Sequence, residues 1–165
     1  MMATKETIYT KDQANKKLKV VREFDSPVKN VWRAWTEPEL IDQWWAPKPW
    51  KANTVSMNFT NGGTWRYYML GPDGSKHYCR ADYSEIVPQK SFKGFDAFTD
   101  EEGNINEAFP RTQWTTQFIP VGSTTRVEIE LTFSSEDDMN KLIDMGFKEG
   151  FAMAHNNLDE LLATL

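Results

Sequence analysis

The sequence predicts an α+β domain in which a curved antiparallel sheet wraps around a long C-terminal helix, with two short helices between strands 1 and 2. Three observations predict it. Alternating apolar and polar segments separated by glycine-rich turns run from Thr54 to Phe133, an apolar stripe at helical spacing runs from Met139 to Leu165, and two short helical patterns lie between Pro27 and Trp45. With 165 residues, the chain suits one domain with one sizeable core. Residues 1–15 read as an N-terminal tail or arm, solvated or at a strand edge, and residues 16–165 as the single domain.

The first strand is read in LKVVREFD, ending at Asp25. Ser26 then offers a helix cap and Pro27 a first helical position where its missing N–H costs nothing. Val28, Val31, Trp32 and Trp35 fall on one side of that short helix. Thr36 and Glu39 are spaced as a capping box for a second helix carrying Leu40, Ile41, Trp44 and Trp45. Pro47 and Pro49 end it.

Hairpin punctuation follows. Val55, Met57 and Phe59 alternate with polar residues, Asn61-Gly62-Gly63 turns, and Thr64 to Leu70 is aromatic-rich. After Gly71-Pro72-Asp73-Gly74 come strands from Lys76 to Val87 and from Ser91 to Phe98, then an acidic loop from Thr99 to Arg111. Strands from Gln113 to Ile119 and from Thr125 to Phe133 flank Val121-Gly122-Ser123. The last alternation, with Val127, Ile129, Leu131 and Phe133 against Arg126, Glu128, Glu130 and Thr132, places one sheet face on a core and the other in water. Ser134 or Ser135 can cap the final helix, whose stripe includes Met139, Leu142, Ile143, Phe147, Phe151, Ala154, Leu158, Leu161 and Leu165, with a break possible at Gly146.

Composition excludes several function classes. Nineteen Lys and Arg against 24 Asp and Glu give a net charge of −5, which repels a phosphate backbone, so nucleic acid is not an expected partner. A single cysteine, Cys79, precludes an intramolecular disulfide and fits a cytoplasmic setting. Neither a span of about 18 apolar residues nor a secretory leader is present, so no membrane span is expected. There is no phosphate-binding loop, dinucleotide fingerprint, nucleophile elbow or zinc motif, so neither a cofactor nor a metal is expected.

The segments VREFDSPVKNVWRAWTEPELIDQWW, NGGTWRYYMLGPDG, YSEIVP and GFKEGFAMAHNNLDELL together resemble the helix-grip proteins of the START and birch-pollen-allergen-like superfamily, in the branch of homologues of the activator of the heat-shock protein 90 ATPase. The resemblance spans Lys16 to Leu165. It implies a helix-grip fold and a hydrophobic ligand cavity, but no single activity.

Candidate binding residues follow from the inward faces. Trp44 and Trp45, with Trp50 nearby, either wall a pocket or plug the core. Trp65, Tyr67 and Met69 share one strand face, and Trp114, Thr116 and Phe118 another. Phe147, Phe151 and His155 share the helix face, so these sets would surround a small apolar or amphipathic molecule held between sheet and helix. Gly146, Gly150 and Ala154 favour close helix–sheet packing, or else leave a void. His77 and Cys79 share a strand face, but no third residue can be named to activate a thiolate. Asp82, Glu85, Arg80 and Arg66 read as the wet face of the sheet rather than as acid–base pairs. A carrier or sensor is the leading expectation. A cochaperone-like interaction module and a cyclase- or hydrolase-like enzyme are the alternatives, and a homodimer is an open possibility.

Overall fold

The computed structural model describes residues 6–165. Among them, one eight-stranded antiparallel sheet contains every strand, in the order β1-β2-β8-β7-β6-β5-β4-β3. These are β1 (Ile8–Asp12), β2 (Lys17–Phe24), β3 (Lys51–Met57), β4 (Thr64–Leu70), β5 (Lys76–Val87), β6 (Ser91–Phe98), β7 (Thr112–Val121) and β8 (Thr124–Thr132). From β3 to β8 each strand pairs with its successor, because every connection is a turn or loop that reverses direction. The sheet closes its order when β2 pairs with β8, matching Val20 with Ile129.

Between β2 and β3 lie α1 (Val28–Thr36) and α2 (Pro38–Ile41). Their starts differ from the sequence reading. Ser26 is buried and does not cap α1; Pro27 takes the N-cap position without a side-chain bond. The Ser26 carbonyl instead accepts from the Thr125 hydroxyl at 2.8 Å, tying α1 to β8. Thr36 does not form a capping box, since its hydroxyl turns back to the Trp32 carbonyl at 2.9 Å and Glu37 becomes the N-cap of α2. The second helix stops at Ile41 rather than at Trp45. Beyond it, Asp42 accepts from the Thr54 amide at 3.1 Å and hydroxyl at 2.6 Å, pulling the chain toward β3.

Two more sheet features depart from the pattern. Residues Ile8–Asp12, assigned to the N-terminal arm, form an edge strand on β2; residues 1–5 lie outside the described residues. In β3 a register shift between Thr54 and Ser56 leaves Val55 51% exposed and turns Thr54 inward, where its hydroxyl accepts from Trp65 Nε1 at 3.0 Å.

After β8 come α3 (Glu136–Asp144) and α4 (Phe147–Leu162). Ser135 caps α3 by accepting from the Asp138 amide at 3.1 Å, and three acids occupy its first turn, where they oppose the helix dipole. Gly146, at φ 89°, separates the two helices in a left-handed conformation that other residues resist. The buried stripe of α4 comprises Phe151, Ala154, His155, Asn157, Leu158, Leu161 and Leu162, which meet Leu18, Val20, Phe24, Val127, Ile129 and Leu131 in one core. Leu165 falls beyond the helix and is 45% exposed, so it leaves the stripe.

Gly150 is not held by close packing. A Cβ there would meet only Pro47 Cγ, at an ordinary 3.7 Å. Gly150→Ala is therefore expected to raise stability by about 0.5–1 kcal/mol, through helix propensity alone. Urea midpoints of the two proteins check this.

Candidate functional site

The concave face of the sheet does not meet α4 everywhere. Antiparallel register sets Trp65, Ala81 and Asp96 in one cross-strand row, Tyr67, Cys79 and Phe98 in the next, and Tyr83, Gly94 and Trp114 in a third. Ala81 and Gly94 stand in the middle of that face. A Cβ on Gly94 would find one neighbour, Ala81 Cβ at 3.9 Å. Because the centre is small and the flanks are aromatic, the sheet and α4 border a cavity of about 370 Å³ that is open on one side to solvent.

Seven of the ten residues expected at a pocket border this cavity: Trp45, Trp65, Tyr67, Met69, Trp114, Phe147 and Phe151. Trp45 links the walls, with its ring edge-on to Trp65 and Phe151 at 5.5 and 5.8 Å and its Nε1 donating to the Tyr67 hydroxyl at 3.1 Å. Trp114 stands edge-on to Phe147 and Phe151. Pro47, Trp50 and Gly150 border one side, and Leu142, Met145 and Gly146 at the α3–α4 junction border another.

Trp44, Phe118 and His155 do not border the cavity. Trp44 is fully buried and donates through Nε1 to the Ala34 carbonyl at 2.9 Å, so it plugs the core beneath α1. Phe118 packs edge-on against Trp32 and Trp35. Although it shares a face with Trp114, it lies four residues further along β7, where α1 rather than empty space covers the sheet. His155 faces Phe24 and Phe151, and its Nδ1 is hydrogen-bonded to the Thr7 hydroxyl at 3.0 Å, which also accepts from Arg22. Its Nε2 has no hydrogen-bond partner among the described residues. Burial, with a smaller effect of Arg22, pushes the imidazole down to about 3, so it is neutral. Arg22 reaches Asp159 on α4, pairing a cation that would otherwise be buried alone.

Sequence reasoning missed Asp96. It borders the cavity, accepting from the Thr112 amide at 2.8 Å and from Trp114 Nε1 at 2.6 Å. Burial pushes its carboxyl up to about 6, against the lowering effect of those bonds and of Arg111. The available signal was its place among Phe92, Gly94 and Phe98 at alternate positions of β6, an acid on an otherwise inward-facing series.

Cys79 borders the cavity too, but as a thiol. Burial pushes it up to about 12, and its partners are the buried Tyr67 hydroxyl and the His77 carbonyl at 3.9 Å, neither of them a base, so no thiolate nucleophile is prepared. Iodoacetamide should accordingly alkylate folded Cys79 at least about tenfold more slowly than the urea-unfolded chain, read by intact mass. Tyr67 is likewise pushed well above the ordinary phenol range by burial. On the opposite face, Asp82 accepts from Arg80, Arg111 and Thr64; although burial opposes it, those bonds hold its carboxyl below the usual range, as a structural ion pair. Among the described residues no group of three or more His, Cys, Asp or Glu could hold a metal, and no helix is long and apolar enough to cross a membrane.

This architecture is shared. A protein of Arthrobacter aurescens solved in solution is 34% identical with a TM-score of 0.90, covering 96% of this chain and 92% of that one. Protein Ms6760 of Mycobacterium smegmatis is 29% identical, with a TM-score of 0.88 and coverage of 95% and 96%. A Staphylococcus epidermidis protein is 28% identical, with a TM-score of 0.84 and coverage of 94% and 93%. No curated protein matches. The family described as activator of Hsp90 ATPase homolog 1-like protein matches residues 25–163. The chain belongs to that family.

Proposed function

We propose that this protein is a carrier or sensor that holds one small apolar or amphipathic molecule between the sheet and α4. The observation that carries the reading is the aromatic-walled cavity of about 370 Å³ at the centre of an otherwise well-filled core. Cavities that take small ligands span about 300–1,000 Å³. This one is at the small end, which favours a compact ring-bearing molecule over a long acyl chain. The neutral thiol of Cys79 and the absence of an activating partner speak for binding rather than covalent chemistry.

Native mass spectrometry of gently purified protein tests retention, and fluorescence titration with N-phenylnaphthylamine, an uncharged aromatic, tests uptake. Saturable one-to-one uptake in the micromolar range is expected. A protein that retains nothing and takes up no dye would move the reading to the chaperone contact that the family's description names.

A further inference from the structure

The charge pattern of the cavity narrows the ligand class, on the reading that the cavity binds a small molecule. Among the described residues no lysine or arginine borders it, and its one formally anionic side chain is Asp96. Around that acid the walls are aromatic rings, whose faces carry negative partial charge and attract cations. Trp45, Trp65, Tyr67, Trp114, Phe147 and Phe151 supply them.

The Asp96 carboxylate has unused capacity. A carboxylate has about four acceptor sites, and the protein supplies two donors, the Thr112 amide and Trp114 Nε1. The nearest guanidinium, Arg111, is directed elsewhere. Its Nε donates to the Asp96 backbone carbonyl at 3.2 Å, its Nη2 to Asp82 and to the Phe95 carbonyl, and its plane lies over the Phe95 ring. Asp96 is thus held in place by neutral donors, within a largely apolar lining, with no cationic side chain among the described residues donating to its carboxylate.

We propose that the cavity selects an organic cation: a compact aromatic or alicyclic amine whose ammonium group bonds to Asp96 while its apolar body lies among the rings. Taking an ammonium out of water is costly unless it is paired and hydrogen-bonded. Asp96 supplies the pair and the rings supply the surrounding attraction. A carboxylate ligand would meet Asp96 and the ring faces with the wrong sign, and would be rejected.

Three ligands of one shape test this: naphthylethylamine, naphthylethanol and naphthylacetate, titrated by calorimetry. At pH 7.5 the amine is expected to bind about tenfold tighter than the alcohol, and the acetate weakest. The preference should shrink toward parity at pH 5, because Asp96, raised to about 6, becomes protonated there. Other ionisable groups near Asp96 do not produce that loss. Tyr67 and Cys79 stay neutral across this range, Arg111 is directed to Asp82 and to backbone carbonyls, and Lys141, in the small adjoining pocket, points to the Phe109 ring. His77, at the Trp50 rim, is removed by repeating the titrations in His77→Gln. In Asp96→Asn the amine should fall to the alcohol's affinity while the alcohol is unchanged.

Equal affinity for amine and alcohol at pH 7.5, or tightest binding of the acetate, overturns the proposal and leaves the cavity reading standing. Failure of all three ligands to bind removes both. The wild-type comparison decides even if Asp96→Asn does not fold.

Discussion

Acid is expected to unfold this protein through His155. The imidazole is 1% exposed, neutral, and pushed down to about 3, against an ordinary value of 6.5. Its folded value lies below its unfolded one, so the unfolded chain binds the extra proton. The histidine's contribution to stability is intact above about 6.5 and is lost as the pH falls toward 3. At pH 4 the loss amounts to about 3 kcal/mol, a sizeable part of an ordinary domain's stability. Asp96 acts in the opposite direction. Its folded value is raised to about 6 from 3.8, so the folded state gains stability as the pH falls between those values, which partly masks the histidine. The two are separated by His155→Leu, a change close in volume that removes the titration. Urea unfolding at pH 7.5 and at pH 4 should show the difference between variant and wild type moving by about 3 kcal/mol in the variant's favour. Parallel stability curves for the two proteins would show that His155 does not titrate as its burial requires.

Filling the cavity is expected to abolish ligand uptake without harming the fold. Gly94 lies on the inward face of β6, with only Ala81 Cβ near the position of a new Cβ. Gly94→Leu places four carbons in the empty space between Tyr83 and Trp114, its partners across the sheet. Uptake of N-phenylnaphthylamine should weaken at least about a hundredfold, because the side chain occupies the volume the ring would take. Stability should hold or rise slightly, since glycine weakens a strand interior and the new side chain gains apolar burial. This combination separates a plugged cavity from a damaged one. Undiminished uptake in a folded Gly94→Leu protein would place the binding site elsewhere.

The fold was legible where a segment has one wet and one dry face. The alternation in β8 and the three-and-four spacing of α4 each report such a boundary directly, and glycine-bearing turns report the reversals between strands. The edge strand β1 was legible only as one of two readings of the arm, solvated or at a strand edge, because neither of its faces is well covered and its residues carry no alternation. Nor was the bulge at Val55, whose cause is the pull of Asp42 on Thr54 across twelve residues of chain. At the site, the aromatic walls were readable from their strand faces. A space between sheet and helix was expected too, but not its placement over Ala81 and Gly94, which lie on adjacent strands near one another only because β5 pairs with β6. His155 shows the complementary limit: its position on the helix stripe is correct, but Phe151 and Trp44 close it off from the cavity it was expected to line.

The closure of β2 onto β8 has a further consequence, for the order in which the protein can be made. Phe24 pairs with Thr125 and Leu18 with Leu131, so the early strands wait for more than a hundred residues of chain before their second partner exists. Contacts of such long sequence separation slow folding. On the ribosome, the hairpins from β3 to β7 can form as they emerge, while the apolar side chains of β2 remain uncovered until β8 and α4 have been synthesised. During that interval Leu18, Val20 and Phe24 form a sticky strand with only β1 beside it. The nascent chain is therefore most exposed to misassociation just before β8 and α4 leave the exit tunnel.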